Sequence, residues 1–324
     1  MKPAINNPPK VSVVLTCYNL GRYLDEAIES VLAQTFQDFE IVVVNDGSTE
    51  AQTLQLLSEY RRPKTRVVPI ENRGLSGARN EGIRQTTGKY VCTLDADDRL
   101  EPTYFEKAVA VLDRDPSVAF VSHWLKTFGY EEREWKPESA DFPALLDMNS
   151  INGAALVRRD ALMAVGLFDE TMRSGCEDWD LWISMVERGL RGTILPEILF
   201  FYRQRSDSMS RVMMQGDTHV GIYRYLIAKH RPSFEEHLVE LVLRREVDRT
   251  TVLREAHDLE LDCQAVLAPG IERLREGLRV ASGKLQRLEQ PKQLQHQLER
   301  LEAELQRDRE GIADLKHEVR ALRT

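Results

Sequence analysis

Residues 90–98 read Tyr90-Val91-Cys92-Thr93-Leu94-Asp95-Ala96-Asp97-Asp98, a short apolar and β-branched run that passes directly into three carboxylates. A run of this length closed by a polar turn predicts a strand buried on both faces, with its chemistry at the carboxyl end. The same pattern recurs outward from it. Strands are predicted over 11–16, 40–45, 66–70 and 119–122, separated by amphipathic stretches over 24–34, 51–60, 76–85 and 102–113. That alternation is the signature of βαβ units, hence an α/β fold around a mostly parallel sheet. Polar clusters stand where the strands end: Thr16-Cys17-Tyr18-Asn19, Asp46-Gly47-Ser48 and the Asp95 to Asp98 turn. Ligands of open α/β sheets bind outside the carboxyl ends of the strands, so the three clusters are expected to line one cleft.

Three carboxylates on one turn repel one another and need a counter-charge. A hard divalent cation held by one or two of them, with a substrate diphosphate completing its shell, supplies it. The alternative is a solvated acidic turn ahead of the helix that begins near Pro102 and Thr103. At the other clusters, the Tyr18 ring can stack on a base and Asp46 can accept from a pyrimidine N–H. Turn and helix-cap chemistry at Asn19, Asp46 and Ser48 is the competing reading.

The second half is less regular. Periodicity fades over 123–147, where Trp124, Trp135, Pro137 and Pro143 suggest an irregular insertion. A strand is predicted over 151–158, a helix over 177–188 and one or two strands over 193–202. Trp124, Trp179 and Trp182 can equally stack on a sugar or fill the core. Beyond Asp217 the chain turns helical, with Ser233 and Glu236 spaced as a capping box. The expected organisation is a linker over 1–9, an α/β domain over 10–230, a helical connector over 231–268 and a coiled-coil oligomerisation region over 269–324. In the last region two apolar series alternate by four and three, Leu267 to Leu288 and Leu294 to Leu322, and Pro291 breaks the register between them. Ile312 and Val319 at a with Leu315 and Leu322 at d favour a homo-oligomer of two strands, with a trimer second and a hairpin folded at Pro291 as the competing arrangement.

The chain has 324 residues and a net charge of −8, which argues against nucleic acid as the partner. No stretch approaches the ~18 apolar residues needed to span a bilayer, and residues 1–10 lack the apolar segment of a secretory signal. The expected location is cytoplasmic, with peripheral contact at the inner face of the membrane left open. Cys17, Cys92, Cys176 and Cys263 lie far apart without paired spacing, so neither a zinc site nor a disulfide framework is expected.

Taken in order, Val11-Ser12-Val13-Val14-Leu15-Thr16-Cys17-Tyr18-Asn19, Val44-Asn45-Asp46-Gly47-Ser48-Thr49, Asn72-Arg73-Gly74-Leu75-Ser76-Gly77-Ala78-Arg79-Asn80, Leu94-Asp95-Ala96-Asp97-Asp98, Gly166-Leu167-Phe168-Asp169-Glu170 and Glu177-Asp178-Trp179-Asp180-Leu181-Trp182 resemble the family 2 glycosyltransferases, which have the GT-A fold and invert the anomeric centre. The resemblance covers about residues 11–210. It implies that Thr16, Tyr18, Asn19 and Asp46 hold the nucleoside, with Asn72 and Arg79 nearby. It further implies that Asp95 meets the ribose and Asp97 holds Mn²⁺ or Mg²⁺, while Asp178 is the general base and Glu177 supports the geometry of the metal or the acceptor. A carboxylate suits the role of Asp178, because an acceptor hydroxyl must lose its proton as it attacks.

One departure stands out. Family members often carry Tyr-Arg-x-His-x-x-Ser-x-Ser, and here Tyr202-Arg203-Gln204-Arg205-Ser206-Asp207-Ser208-Met209-Ser210 puts Arg205 in the histidine's place. A guanidinium does not ligate a cation but suits phosphate oxygens. The Gln-x-x-Arg-Trp motif and membrane helices of processive members are missing. The resemblance thus implies a hexosyl transferase using a UDP-sugar donor and a hydroxyl acceptor, such as a growing cell-surface glycan on a lipid carrier. The other classes are a non-catalytic scaffold that gathers partners through its tail, and a sugar nucleotidyltransferase, which would need a glycine-rich phosphate loop that Gly21 alone does not make.

Overall fold

A computed structural model of the chain describes residues 8–209, 213, 217–251, 254, 272–273, 275–280, 299–300, 303–304 and 306–307. β1 (Val11–Cys17) lies between β2 (Phe39–Asp46) and β4 (Tyr90–Asp95), with β3 (Thr65–Ile70) outside β2, and all four run parallel. Every residue of β1 is buried, as expected for a central strand covered on both faces. α1 (Gly21–Leu32), α2 (Ala51–Glu59) and α3 (Gly74–Arg84) connect these strands. α1 buries Leu24, Ala27, Ile28 and Val31, a three-and-four spacing that gives one apolar face. α3 packs close enough that a Cβ on Gly82 would come within 2.3 Å of Val14 Cγ1, so only glycine fits there.

Beyond β4 the sheet changes character. It continues through β8 (Leu156–Arg158), β6 (Val118–Gly129), β9 (Arg191–Gln204) and β5 (Arg99–Leu100), with β7 (Glu134–Trp135) on the side of β6. β8 is antiparallel to both neighbours, and β6 pairs with β9 in parallel. One core cluster packs α1 and α4 (Tyr104–Arg114) on one face of the sheet. The other packs α3, α6 (Arg159–Val165), α7 (Glu177–Glu187) and α8 (Thr218–Lys229) on the opposite face.

Three local expectations are corrected. The stretch after Ser122 is not irregular from its start, because β6 runs on to Gly129. Its pairing with β9 shifts register at His123/Trp124 and Trp124/Leu125, which blurs the two-residue alternation. The strand expected over 151–158 shrinks to its last three residues. Asn149 Oδ1 accepts from Ile151 N and Asn152 Oδ1 from Ala154 N, and these local bonds compete with a ladder. The capping box at Ser233 does not form: α9 (Arg231–Glu236) follows His230, with Pro232 in its first turn, and Ser233 Oγ donates to Glu187 instead. α5 (Ala144–Asp147) is a single turn.

The back of α7 is tied to α8 by charge. Lys229 Nζ and His230 Nε2 both lie 2.9 Å from the buried Asp180 carboxylate, and His230 Nδ1 lies 2.9 Å from Glu187. Burial alone would lower the His230 pKa, but Asp180 and Glu187 outweigh it and raise the value. The first compact unit ends at Leu241 and a second begins at Val242. Described residues of the second unit are helical, with Arg249–Glu246, Arg275–Glu272 and Arg279–Glu276 pairs spaced by three. Of the two heptad series only Leu278 is described there, so the coiled coil, Pro291 and Cys263 lie outside the described residues. Among the described residues no helix is long and apolar enough to cross a membrane.

Candidate active site

A cavity of about 850 Å³ opens at the carboxyl ends of β1, β2 and β4. The strand order reverses between β1 and β4, and this switch point is where an open α/β sheet offers a crevice. Thr16 and Asp95 face each other there in register, and Thr16 Oγ1 donates to Asp95 Oδ1 at 2.9 Å. All eleven residues named from the sequence line this one cavity: Thr16, Tyr18, Asn19, Asp46, Asn72, Arg79, Asp95, Asp97, Glu177, Asp178 and Arg205.

The strand-end wall is set by backbone. Asp46 Oδ1 accepts from Arg73 N at 2.7 Å, and Asn72 Nδ2 donates to Asp46 O at 2.9 Å. Burial raises the Asp46 pKa despite that N–H and the nearby Arg173 and Arg73. Asn19 adopts φ +55°, and its Oδ1 accepts from Thr49 N and Glu50 N at 2.8 and 2.9 Å, which ties the loop after β1 to the start of α2. Tyr18 stays 46% exposed, leaving its ring free to meet a planar ligand.

On the acidic turn the three carboxylates have separate partners. Asp95 is held by Thr16 and by Arg79 Nη2 at 3.1 Å. Asp98 is buried and accepts from Arg203 N at 2.7 Å, and burial together with Asp95 raises its pKa well above the ordinary carboxylate value. Its work is to fasten β9 to the turn. Asp97 pairs with the Arg205 guanidinium, whose Nε also lies 2.9 Å from Asp207 Oδ1. The counter-charge predicted from the sequence is therefore met in part by two arginines. Among the described residues no group of three acidic, histidine or cysteine side chains stands ready to cage an ion. Divalent ions at phosphate sites use one or two carboxylates and take their remaining oxygens from the ligand and water. Asp97 fits an ion shared with a diphosphate, not one enclosed by protein.

The opposite wall is the start of α7. Cys176 precedes the helix in a left-handed conformation at φ +61°, and Glu177, Asp178 and Asp180 occupy the first turn, where the helix dipole favours negative charge. Arg79 reaches across from α3. Its Nη1 lies 2.5 Å from Glu177 Oε1 while Nη2 holds Asp95, so one buried guanidinium joins the two walls. Gly153 makes room for it, since a Cβ there would stand 3.2 Å from Arg79 Nη2. Asp178 Oδ1 accepts from Trp179 N at 2.8 Å and from Asn149 Nδ2 at 3.2 Å. Burial and the neighbouring Glu177 push the Asp178 pKa up to about 7, against the pull of Arg79 and the two N–H donors. A carboxyl with that value is suited to take up a proton near neutral pH.

Trp179 and Trp182 are core residues. Both are buried, with their indole N–H groups donating to Leu145 O at 2.6 Å and Ile151 O at 3.1 Å. Sequence reasoning missed Asn149 and Asn152, which line the cavity from the loop before β8. The available signal was two asparagines and a glycine packed into Asn149-Ser150-Ile151-Asn152-Gly153, a polar turn ahead of a short apolar run.

Comparison with known proteins agrees with this geometry. Residues 12–168 match the model of the glycosyl transferase family 2. EpsE of Bacillus subtilis is 30% identical over 217 residues, covering 64% of this chain and 77% of that protein. An uncharacterized glycosyltransferase of Methanocaldococcus jannaschii is 28% identical over 221 residues, covering 64% and 76% respectively. The succinoglycan biosynthesis protein ExoO of Rhizobium meliloti is 31% identical over 230 residues, 65% of each chain. Among solved structures, residues 1–349 of S. aureus TarS in complex with UDP-GlcNAc superpose with a TM-score of 0.54 at 24% identity, over 62% of this chain and 60% of that one. A strand-end cleft between an acidic turn and a helix-borne carboxylate, the family model that spans the strand ends, and a relative matched over three quarters of its length lead to one conclusion: this chain belongs to glycosyltransferase family 2 and is a glycosyltransferase of GT-A fold.

Proposed function

We propose that this enzyme transfers a hexose from a UDP-sugar to a hydroxyl acceptor with inversion, using Mn²⁺ or Mg²⁺, in the synthesis of a cell-surface glycan at the cytoplasmic side of the membrane. The observation that carries the reading is Asp178, a carboxyl with its pKa raised to about 7 across the cavity from the strand ends. The UDP-GlcNAc bound by TarS supports the donor class, and the succinoglycan biosynthesis in ExoO's name supports the product class.

In this reading Tyr18 stacks on the base and Asp46 accepts from its N–H, with Thr16, Asn19 and Asn72 shaping the pocket around them. Asp95, fixed by Thr16 and Arg79, meets the ribose. Asp178 receives the acceptor's proton while the acceptor oxygen attacks the anomeric carbon and the bond to the diphosphate breaks, its electron pair leaving with UDP. One displacement inverts the centre, and no covalent intermediate is needed. Asp97 would hold the metal, and Arg205, anchored by Asp97 and Asp207, is placed for a phosphate oxygen. A bound divalent ion supplies charge neutralisation for the departing diphosphate. Glu177, paired with Arg79, keeps the start of α7 in place.

The test is a nucleotide-sugar panel scored for released nucleoside diphosphate with and without EDTA, with product configuration read by NMR. Release from a UDP-sugar, abolished by EDTA and giving the inverted anomer, is expected. Retained configuration, or full turnover in EDTA, overturns the mechanism. We also propose that residues 269–324 dimerise the enzyme as a coiled coil, and a monomer mass for the full chain by light scattering would refute this.

A further inference from the structure

Asn149 stands beside the carboxylate on which the proposed mechanism turns. Its amide orientation is fixed from behind: Asn149 Oδ1 accepts from Ile151 N at 3.3 Å, so the nitrogen is the end turned to Asp178. Nδ2 and the Trp179 N–H both donate to the same atom, Asp178 Oδ1. Among the described residues Oδ2 takes no hydrogen bond, and it is left as the oxygen for the cavity. Asn149 itself lines that cavity from a loop, half-buried.

We propose that Asn149 is the positioning residue of the base: by donating to Oδ1 it fixes the rotation of the Asp178 carboxylate and presents Oδ2 to the acceptor hydroxyl. The proposal rests on the reading of Asp178 as the base. The charged and titratable groups around that carboxylate explain why a donor is needed. Glu177 and the Cys176 thiol lie beside it on α7 and its cap, and Arg79 reaches it from α3 with one guanidinium nitrogen already committed to Asp95 of β4. The loop 148–153 contributes no titratable side chain. Asn149 is therefore the neutral donor that opposes Glu177 and burial without adding a second charge.

The experiment compares Asn149→Ala with Asn149→Asp in the full chain. A hydrogen bond to an ionised group corresponds to roughly 10- to 100-fold, so Asn149→Ala should lower kcat by about that factor while UDP affinity measured by calorimetry stays within about twofold. Asn149→Asp keeps the shape but replaces the donor with a second acid, and it should lose more activity than alanine at neutral pH. A space-filling role predicts the reverse order, because the isostere would then be the milder change, and that order overturns the proposal. Either variant alone suffices if the other fails to fold: near wild-type kcat in a folded Asn149→Ala or Asn149→Asp also overturns it. The Asp178→Asn enzyme separates the two levels of the argument. If it transfers normally, the reading of Asp178 has failed; if it is inactive while folded Asn149→Ala is unimpaired, only the role of Asn149 has failed.

Discussion

The strand-end wall of the cavity draws Thr16, Asp46 and Asp95 from three parallel strands within the first hundred residues. The facing wall draws Asn149, Glu177 and Asp178 from a loop and a helix start far along the chain. On the first wall the functional side chains sit at the ends of buried ladders, where Arg73 N braces Asp46 and Thr16, its neighbour in register, braces Asp95. On the second they are braced by other side chains, Glu177 by Arg79 and Asp178 by Asn149. The first wall inherits its geometry from the sheet. The second depends on a buried polar network whose members brace one another across α3, α7 and the loop before β8.

The largest effect should come from Asp178→Asn, because it removes the proton acceptor while leaving the strand ends untouched. Loss of a general base lowers kcat by about 10²- to 10⁴-fold, and UDP affinity should remain nearly unchanged. A parallel loss of UDP binding, measured by calorimetry, would show that the two walls are not separable in the way their construction suggests.

Next in size is the residue that joins them. Arg79→Met keeps the aliphatic stem but withdraws the cation from between Glu177 and Asp95, leaving a buried carboxylate without a partner. Breaking a buried pair from one side costs about 3–5 kcal/mol, so chemical denaturation should show a loss of that order. A cost under about 1 kcal/mol, as for exposed pairs, would mean that the walls stand independently.

The same contrast explains what could be read from the sequence. The strand-end wall is legible because strand, turn and helix follow one another locally: β1, β2, β3 and β4 lie where short apolar, β-branched runs and the polar turns that close them place them. The far wall obeys longer-range rules. β6 was read as ending near Ser122 because its pairing with β9 slips register around Trp124. The start of β8 was lost to asparagine side chains that bond their own backbone. Glu177 and Asp178 were found only because a family motif marks them, and Asn149 has no such mark. Trp179 and Trp182 showed the same limit, since an aromatic pair at helical spacing reads equally as core or as a binding platform until its indole partners are known. The capping-box spacing at Ser233 was a true local signal overruled by Glu187, which competes for the hydroxyl.

The smallest expected effect is a gain. Asp178 has an ordinary pKa of 3.8 and a folded value of about 7, raised first by burial and then by Glu177. A group whose folded value lies above its unfolded one favours the fold fully below the unfolded value and loses that contribution as pH rises through the folded one. The native protein therefore bears an increasing penalty between about pH 4 and pH 7, which levels off above that. The amide introduced by Asp178→Asn cannot ionise, and its oxygen can still accept from Trp179 N and Asn149 Nδ2, so the substitution removes the charge while keeping both bonds. Because the cavity lets water screen the group, the gain should be about 1 kcal/mol, or about 2–4 °C in Tm for a unit of this size. Thermal melts should then show the inactive variant more stable than the native enzyme at pH 8 and equal to it at pH 4. Equal Tm values at both pH values would mean that the far wall carries no strain at its carboxylate, and that Arg79 and Asn149 compensate its burial in full.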